Sequence, residues 1–406
     1  MTTRKAIAWG SAGGLKIKAG HRTRARSGLA AVADWAVRNQ VRQAWPKWDA
    51  NAGRFPYHVH LVTSDYFLST SWNTARTVQG LLAAHQVLGV PAYLEAAERG
   101  LAYVNTLQVF TPEFPHARGA FIEETPQGDH VGARDGIECA QALLAHHVGT
   151  GNRISLQRAE AFLDWLVKEY NSPCWPNGYF YLTDARNSGK QTGNARFIYS
   201  AGAIPLVQGA ALTGKRRYVT HAAVPMLDEM LAHHQRADGA FEYVTAKADH
   251  HVPIQGDPTV YNEDGVGVAL LCAWKATGRA RYRDAAVAYG DWWLGRDLGR
   301  LPKTYAMLPC LAIFMADLAR ATRDARYVQF LDAIAERVFA LQILRDERPL
   351  VAGAFRGEDM APRYRAGAEA GDFISLRSNS YGLIALAKLA ARGARQWGPS
   401  YSMFGF

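Results

Sequence analysis

The sequence predicts an all-α fold built from repeated helical hairpins. Three observations predict it: apolar residues recur at helical spacing along most of the 406 residues, one short interhelical joint returns several times, and long aromatic-rich segments alternate with these joints. Because two helices joined by about four residues must lie antiparallel, each joint marks one hairpin. We therefore treat the chain as a series of repeats.

The clearest hairpin occupies residues 261–293. Its first helix carries an apolar stripe from Val266 to Trp274, and Gly278 is placed to end that helix in the left-handed conformation. Tyr282 then begins the apolar stripe of the second helix. This segment is the unit from which the other hairpins are copied.

The joint is a glycine or turn residue followed four positions later by an aromatic residue. The copies are Gly89 with Tyr93, Gly214 with Tyr218, Gly278 with Tyr282 and Arg323 with Tyr327, and Gly151 begins a weaker copy. The four glycines lie 62, 63 and 64 residues apart, which indicates one hairpin per interval. We expect the glycine to cap the first helix and the tyrosine to pack under the turn.

A second short sequence motif, which we call the Gly-Ala-Phe word, recurs with the same period. Gly-Ala-Phe or Gly-Tyr-Phe follows the second helix of several units, beginning at Gly119, Gly178, Gly239 and Gly353, and Gly53-Arg54-Phe55 is an earlier copy. We expect each word to begin the loop that returns to the next hairpin.

The apolar stripes predict twelve helices. They span residues 27–45, 71–88, 92–108, 135–148, 156–170, 196–213, 216–234, 264–277, 280–294, 305–321, 325–343 and 380–391. Turns within a hairpin are short, whereas the segments between hairpins run for about 20 to 35 residues, a length that usually serves function. All the long segments precede the first helix of a pair, so one face of the fold is expected to hold the site.

This arrangement resembles the six-hairpin (α/α)6 toroid enzymes over residues 27–400. The resemblance implies a closed ring in which the first helix of each pair lines the centre. Members of that superfamily include glycoside hydrolases, unsaturated glucuronyl hydrolases, polysaccharide lyases and sugar epimerases. We therefore expect a basic tail over residues 1–26 and one catalytic toroid over residues 27–406.

Composition excludes several other classes. The net charge is +10, but seven of the excess positive charges lie in residues 1–26, so the sequence gives little support for a nucleic-acid partner. No run of about 18 apolar residues predicts a membrane span. The start of the chain makes a poor signal peptide, which favours a cytoplasmic protein. Oligomeric state is left open.

The cysteines predict buried thiols. Cys139, Cys174, Cys272 and Cys310 are too widely spaced for a disulfide framework or a zinc site. No metal or organic cofactor is implied.

Two predicted inner helices begin with similar acidic sequences. Arg134-Asp135-Gly136 is followed by Glu138, and Glu263 precedes Asp264-Gly265. Asp135 and Asp264 could simply be N-caps. Carboxylates from two repeats at one mouth are also what glycosidic bond cleavage needs, since one protonates the leaving oxygen and the other activates water.

The Gly-Ala-Phe loops offer further acids. Glu124 and Glu242 each follow such a word and are additional catalytic candidates, although acids in a structural repeat are usually solvated or support turns.

Candidate substrate-binding residues lie in the long segments or at inner-helix starts. Aromatic rings there could stack on sugar faces, and arginines could hold a carboxylate. The candidates are Trp72, Arg134, Trp175, Tyr179, Tyr199, His251, Tyr261, Asn262, Arg365, Arg377 and Tyr381.

The leading hypothesis is a glycoside hydrolase acting on an oligo- or polysaccharide substrate. Asp135 or Glu138 would oppose Glu263 or Asp264. The resemblance implies inversion, and the arginines suggest a uronate-containing glycan. A lyase or epimerase acting on uronic acids, with Tyr261 or His251 as base, is the second reading. A non-catalytic glycan-binding toroid is the third.

Overall fold

The computed structural model describes residues 15–43, 51–171, 179–182, 195–241, 265–298, 307–357, 369–391 and 399–400. Within these residues the chain forms twelve α-helices and four short strands. The helices are α1 (Ala19–Asn39), α2 (Ser71–Leu88), α3 (Pro91–Thr106), α4 (Ala133–Thr150), α5 (Arg153–Tyr170), α6 (Ala195–Thr213), α7 (Val224–His233), α8 (Val266–Thr277), α9 (Ala280–Leu294), α10 (Met307–Thr322), α11 (Ala325–Ala340) and α12 (Leu376–Ala390). The strands are β1 (His58–His60), β2 (His130–Gly132), β3 (Tyr179–Tyr181) and β4 (Phe373–Ser375).

Six helices close into an inner ring. Helix α2 packs against α12 and α4, and contacts continue from α4 to α6, α8, α10 and back to α12. Helices α1, α3, α5, α7, α9 and α11 form the outer layer, each packed on an inner helix. The predicted (α/α)6 toroid is confirmed.

The first helix differs in its bounds from the prediction. It begins at Ala19 and ends at Asn39, instead of spanning residues 27–45. Its buried stripe starts at His21 and Ala25, whereas Arg24 lies outside and pairs with Glu336 on α11. Basic residues on the outer side of an amphipathic helix were interpreted as a tail, so α1 runs across the predicted boundary at residue 27.

The joints adopt the predicted caps. Gly89, Gly151, Gly214 and Gly278 have φ between 70° and 76°, and Arg323 has φ of 60°. Each glycine ends an inner helix where a side chain would disfavour the left-handed conformation. The arginine shows that this position tolerates a side chain.

The joint tyrosines do more than pack under the turn. Each hydroxyl donates to an aspartate on the preceding outer helix: Tyr93 to Asp34 (2.8 Å), Tyr218 to Asp164 (2.5 Å), Tyr282 to Asp228 (2.6 Å) and Tyr327 to Asp291 (2.9 Å). At the seam between α11 and α1, His21 takes the place of the tyrosine and contacts Asp332 at 2.6 Å. The outer layer is thus held together by one repeated polar contact.

The Gly-Ala-Phe words have a steric origin. Gly53, Gly119, Gly239 and Gly353 have φ between 93° and 95°. A Cβ on any of them would collide with a backbone carbonyl of the next outer helix, at Arg99, Ala161, Ala288 and Ala31 respectively. Only glycine lets the return loop approach that helix so closely. The word therefore marks where each hairpin joins the next.

A glutamine accompanies three of these contacts. The side-chain amides of Gln40, Gln108 and Gln342 each donate to the carbonyl of the word's glycine and to a carbonyl of the next outer helix. Each glutamine closes the outer layer at one loop.

Two small ribbons lie where inner helices begin. Strand β1 pairs antiparallel with β4, so that His58 faces Ser375, and β2 pairs antiparallel with β3, so that Gly132 faces Tyr179. The ribbons join the entries of α2 and α12, and those of α4 and the loop before α6. We call this end of the ring the mouth.

Three of the cysteines, Cys139, Cys272 and Cys310, are buried free thiols as predicted, and Cys174 lies outside the described residues. In the described part of the chain, no helix has the length and apolar character needed to cross a membrane.

Candidate active site

The candidate site lies at the mouth, where α12, α2 and α4 begin side by side. Polar and charged side chains are buried there inside an otherwise apolar ring, which is costly unless they are paired or used. The chain places two acids, two arginines and a tyrosine at this point.

Asp135 lies in the first turn of α4, but it is not the N-cap, because Gly132 occupies that position. Its side chain is buried, with 9% of the residue exposed. Among the described residues, no group donates a hydrogen bond to its carboxyl. Burial and the nearby charge of Glu123 raise the pKa of Asp135 well above its ordinary value, against the opposing effect of Arg134. The carboxyl group is therefore suited to carry a proton near neutral pH.

Glu138 lies one turn further along α4 and is fully buried. One of its oxygens forms an ion pair with Arg76 of α2, and the other accepts from Arg134. The Arg76 guanidinium also lies 4.9 Å from the centre of the Tyr381 ring on α12. Since both oxygens are bound by arginines, the geometry leaves Asp135 rather than Glu138 open to a substrate.

The acidic loop before α4 places its two glutamates differently. The side chain of Glu123 contacts His130 Nε2 at 2.5 Å, and its backbone carbonyl accepts from Ser71 at the start of α2. Glu124 is exposed, and its backbone carbonyl accepts a hydrogen bond from the Tyr103 hydroxyl. Of the two, Glu123 interacts electrostatically with Asp135, so we do not place Glu124, a catalytic candidate from the sequence, in the site.

Aromatic rings line one side of the mouth. Trp72 at the start of α2 meets Tyr57 edge to face, with 6.2 Å between ring centres, and Tyr57 meets Phe67 at 5.5 Å. Phe67 and its neighbour Tyr66 are 47% and 51% exposed. Exposed aromatic faces of this kind can stack on the C–H face of a sugar.

The remaining described candidates are distributed between the two layers. Tyr179 lies on β3 opposite Gly132, next to the start of α4. Tyr199, in contrast, donates to Glu229 at 3.1 Å and packs against Tyr170 of the outer layer. The structure therefore brings Tyr179 close to the mouth and directs Tyr199 away from it.

Arg377 begins α12 beside β1. Burial and the charge of Arg377 lower the pKa of His58 to about 3, so the His58 imidazole is neutral near pH 7. Its ring lies 3.8 Å from that of Tyr57. A neutral, buried His58 supports the aromatic wall and is a poor proton acceptor.

Eight candidates lie outside the described residues. They are Trp175, Glu242, His251, Tyr261, Asn262, Glu263, Asp264 and Arg365. Their roles stay predictions.

Sequence reasoning missed Arg76, and it did not choose Glu123 or His130 among the acids and histidines of the loop before α4. Arg76 carries a signal, because Asn73, Arg76 and Gln79 recur every three residues on a helix predicted to line the ring. Glu123 carries none, since its difference from Glu124 depends on which side of the loop each side chain takes. Among the described residues, no group of three or more His, Cys, Asp or Glu side chains could hold a metal ion.

No protein-family model and no curated protein matches the sequence. Solved structures do match. A cellobiose 2-epimerase from Bacillus thermoamylovorans matches with TM-score 0.64 and 11% identity, covering 90% of this chain and 98% of that one. A family 76 glycoside hydrolase from a bovine Bacteroides thetaiotaomicron strain matches with TM-score 0.65 and 12% identity, covering 92% and 78%.

An unsaturated glucuronyl hydrolase specific for heparin matches with TM-score 0.62 and 12% identity, covering 91% of this chain and 97% of that one. These proteins are (α/α)6 toroid carbohydrate-active enzymes. At such low identity the likeness shows the fold alone, so chemistry must be argued from the mouth.

Proposed function

We propose that this protein is a glycoside hydrolase that cleaves an oligo- or polysaccharide at the mouth of the ring, with Asp135 as general acid. The carrying observation is a buried carboxyl on the first turn of an inner helix, with a raised pKa and no hydrogen-bond donor among the described residues. Glycosidic oxygens are weak leaving groups until protonated, so hydrolysis needs such an acid.

Asp135 donates its proton to the glycosidic oxygen as the bond from that oxygen to the anomeric carbon breaks. Water adds to the anomeric carbon and gives up a proton to a base. The Arg76–Glu138–Arg134 network keeps its charges paired with one another, so it holds α2 and α4 together without competing for the proton. Trp72 and Phe67 provide surfaces on which a sugar ring can stack.

The matched structures support a carbohydrate substrate. A cellobiose epimerase, a glucuronyl hydrolase and a family 76 glycoside hydrolase share this fold over 90% or more of the chain. They span more than one reaction class, so the choice of hydrolysis rests on Asp135.

A second candidate is a lyase or epimerase that acts on uronic acid residues. The observation that favours it is the pair of arginines at the starts of the two inner helices that flank α2, Arg134 on α4 and Arg377 on α12, because guanidinium groups bind carboxylates bidentately. Its predicted base, Tyr261 or His251, lies outside the described residues.

A panel assay tests the proposal. The full chain is incubated with cellobiose, α-1,6-linked mannooligosaccharide and a heparin-derived unsaturated disaccharide, and new reducing ends are measured. Hydrolysis that disappears in Asp135→Asn but persists in Asp284→Asn, an exposed aspartate on α9, would support the proposal.

Other results would redirect it. An ultraviolet-absorbing product would indicate a lyase, and solvent deuterium at a sugar carbon without cleavage would indicate an epimerase. Tight binding without turnover would leave only a glycan-binding toroid.

A further inference from the structure

A pair of titratable residues lies beside Asp135: His130 on strand β2 and Glu123 in the loop before that strand. Side chains alternate along a strand, so His130 and Gly132 face the same side of β2. A Cβ on Gly132 would lie 2.7 Å from Asp135 Oδ2. The Asp135 carboxyl therefore occupies the space that the absent side chain leaves, on the face to which His130 belongs.

Glu123 is fixed on that same face. Ile122 bridges Val131 in an antiparallel register, which places Glu123 directly opposite His130. The Glu123 amide donates to the His130 carbonyl at 3.3 Å, and the side chains meet at 2.5 Å. Directly opposed residues on an antiparallel pair have neighbouring side chains. The loop is further anchored to α2 by the bond from the Ser71 amide to the Glu123 carbonyl, at 2.8 Å.

The Asp135 and Glu123 carboxyl groups have different surroundings. Asp135 is buried and has no hydrogen-bond donor among the described residues, whereas Glu123 is bound by an imidazole. The side chains of Glu123 and His130 are 23% and 33% exposed, so water can reach both. A buried carboxyl group beside a hydrogen-bonded carboxyl group that water can reach is an arrangement typical of an acid and base pair.

We infer that Glu123 is the proton acceptor of the proposed hydrolysis and that His130 is a positioning residue that holds the Glu123 carboxylate toward Asp135. This inference rests on the proposed function and names a base other than Glu263 or Asp264. A water molecule between the sugar and Glu123 gives a proton to the Glu123 carboxylate, and its oxygen bonds to the anomeric carbon. Asp135 protonates the departing oxygen. Glu123 then loses a proton to solvent and Asp135 regains one.

The charged groups around the pair come from three elements. Arg134 and Glu138 belong to α4, Asp129 lies 3.8 Å from His130 Nδ1, and Glu124 adjoins Glu123 in the loop. Glu124 supplies a matched control, because it neighbours Glu123 in the chain but its side chain is exposed.

The first test uses the full chain and the panel sugar that is cleaved, prepared as its 4-nitrophenyl glycoside. We expect Glu123→Gln to lower kcat by about 10²- to 10⁴-fold, as for loss of a general base, and Glu124→Gln to change it by less than about twofold. Azide should restore turnover of Glu123→Ala as glycosyl azide, since it replaces the activated water. His130→Gln should lower kcat with little change in KM, because it removes the contact that positions the Glu123 carboxylate.

The results separate the two proposals. If Asp135→Asn is inactive on natural glycans while Glu123→Gln matches Glu124→Gln, hydrolysis stands and the base assignment is overturned. If the wild-type chain cleaves nothing, the proposed function itself fails.

A second measurement needs no turnover. Carbon-13 NMR titration of the Asp135 carboxyl should show a lower pKa in Glu123→Gln than in wild type, and an unchanged pKa in Glu124→Gln. Equal values in all three proteins would overturn the pairing. If circular dichroism shows that Glu123→Gln is misfolded, Glu123→Asp, which keeps the charge on a shorter side chain, serves for the kinetic test, and Glu123→Ala, which removes the charge, serves for the titration.

Discussion

Carboxylates at the outer joints and the carboxylate at the mouth have opposite environments. Asp164 accepts from Tyr218 and Arg217, and these hydrogen bonds outweigh partial burial and hold the pKa of Asp164 below its ordinary value. Asp135 is more deeply buried and has no such donor, and its pKa is raised. The surroundings of Asp164 favour its ionised form, whereas those of Asp135 favour its protonated form.

The difference separates carboxylates that stabilise the fold from the carboxyl group that we assign to catalysis. Asp164 stabilises the fold as an anion, and its tyrosine contact recurs around the ring at Asp34, Asp228 and Asp291. A buried carboxyl group without a hydrogen-bond donor destabilises the fold, and destabilising groups of this kind are common at reactive sites. The following predictions test this division, from the largest expected effect to the smallest.

Asp135→Asn should remove activity and stabilise the fold. The raised pKa means that the folded protein binds the proton more tightly than the unfolded chain, so stability is lost as pH rises above the ordinary carboxyl pKa. Asparagine cannot ionise. We expect a loss of about 10²- to 10⁴-fold in kcat and a higher unfolding free energy than wild type at pH 8 but not at pH 4, measured by urea titration. Equal stability at both pH values would contradict it.

Glu138→Gln should destabilise the protein by about 3–5 kcal/mol, because it removes the buried carboxylate that contacts both Arg76 and Arg134. Urea unfolding measures the loss. Glu98→Gln, at a 54% exposed position on α3, is the control. A second change, Arg76→Met, should recover part of the loss, since it removes the buried guanidinium group that the Glu138 carboxylate had neutralised.

Gly239→Ala should cost more than Gly89→Ala. Both have positive φ, which costs a non-glycine residue about 1–2 kcal/mol. Only at Gly239 would the new Cβ also collide with backbone, at Ala288, whereas nothing lies within 4 Å at Gly89. Thermal unfolding of the two variants measures the difference. Equal losses would show that the return loop can move away from α9.

Tyr282→Phe should destabilise by about 1 kcal/mol, because Asp228 loses the hydroxyl donor but keeps Arg281. Tyr66→Phe, at a 51% exposed residue, should have no measurable effect. Urea unfolding distinguishes them, and a neutral Tyr282→Phe would reduce the joint tyrosine to a packing role.

Phe67→Ala should raise KM for the cleaved glycan several-fold with little change in kcat, as expected if about 1 kcal/mol of ring stacking is lost. Ile154→Ala is the control, because Ile154 is 64% exposed and lies at the start of α5, next to the joint at Gly151. An unchanged KM would exclude Phe67 from the substrate-binding surface.

The joints could be predicted because each depends on local backbone. Gly278 caps a helix whatever surrounds it, and Arg323 was recognised by its place in the repeat. The tyrosine hydroxyl contacts could not, since Tyr282 and Asp228 lie 54 residues apart. The predicted bounds of α1 differ from the observed ones because the helical spacing of buried residues continues through the basic segment before Ser27.

At the mouth, the sequence identified Arg134, Asp135 and Glu138 as a group, but not their separate roles. Those roles depend on Arg76, which reaches Glu138 from another hairpin and leaves Asp135 alone. The N-cap interpretation of Asp135 was wrong because β2 continues to Gly132 and moves the helix start upstream.

The sequence by itself determined the ring, because periodic apolar stripes and glycines with positive φ are properties of local backbone and repeat along the chain. Tertiary structure alone decided which acid is neutralised by arginines, which is held by histidine and which is left to carry a proton. Those states are set by burial and by charges on neighbouring hairpins, which no segment of sequence contains.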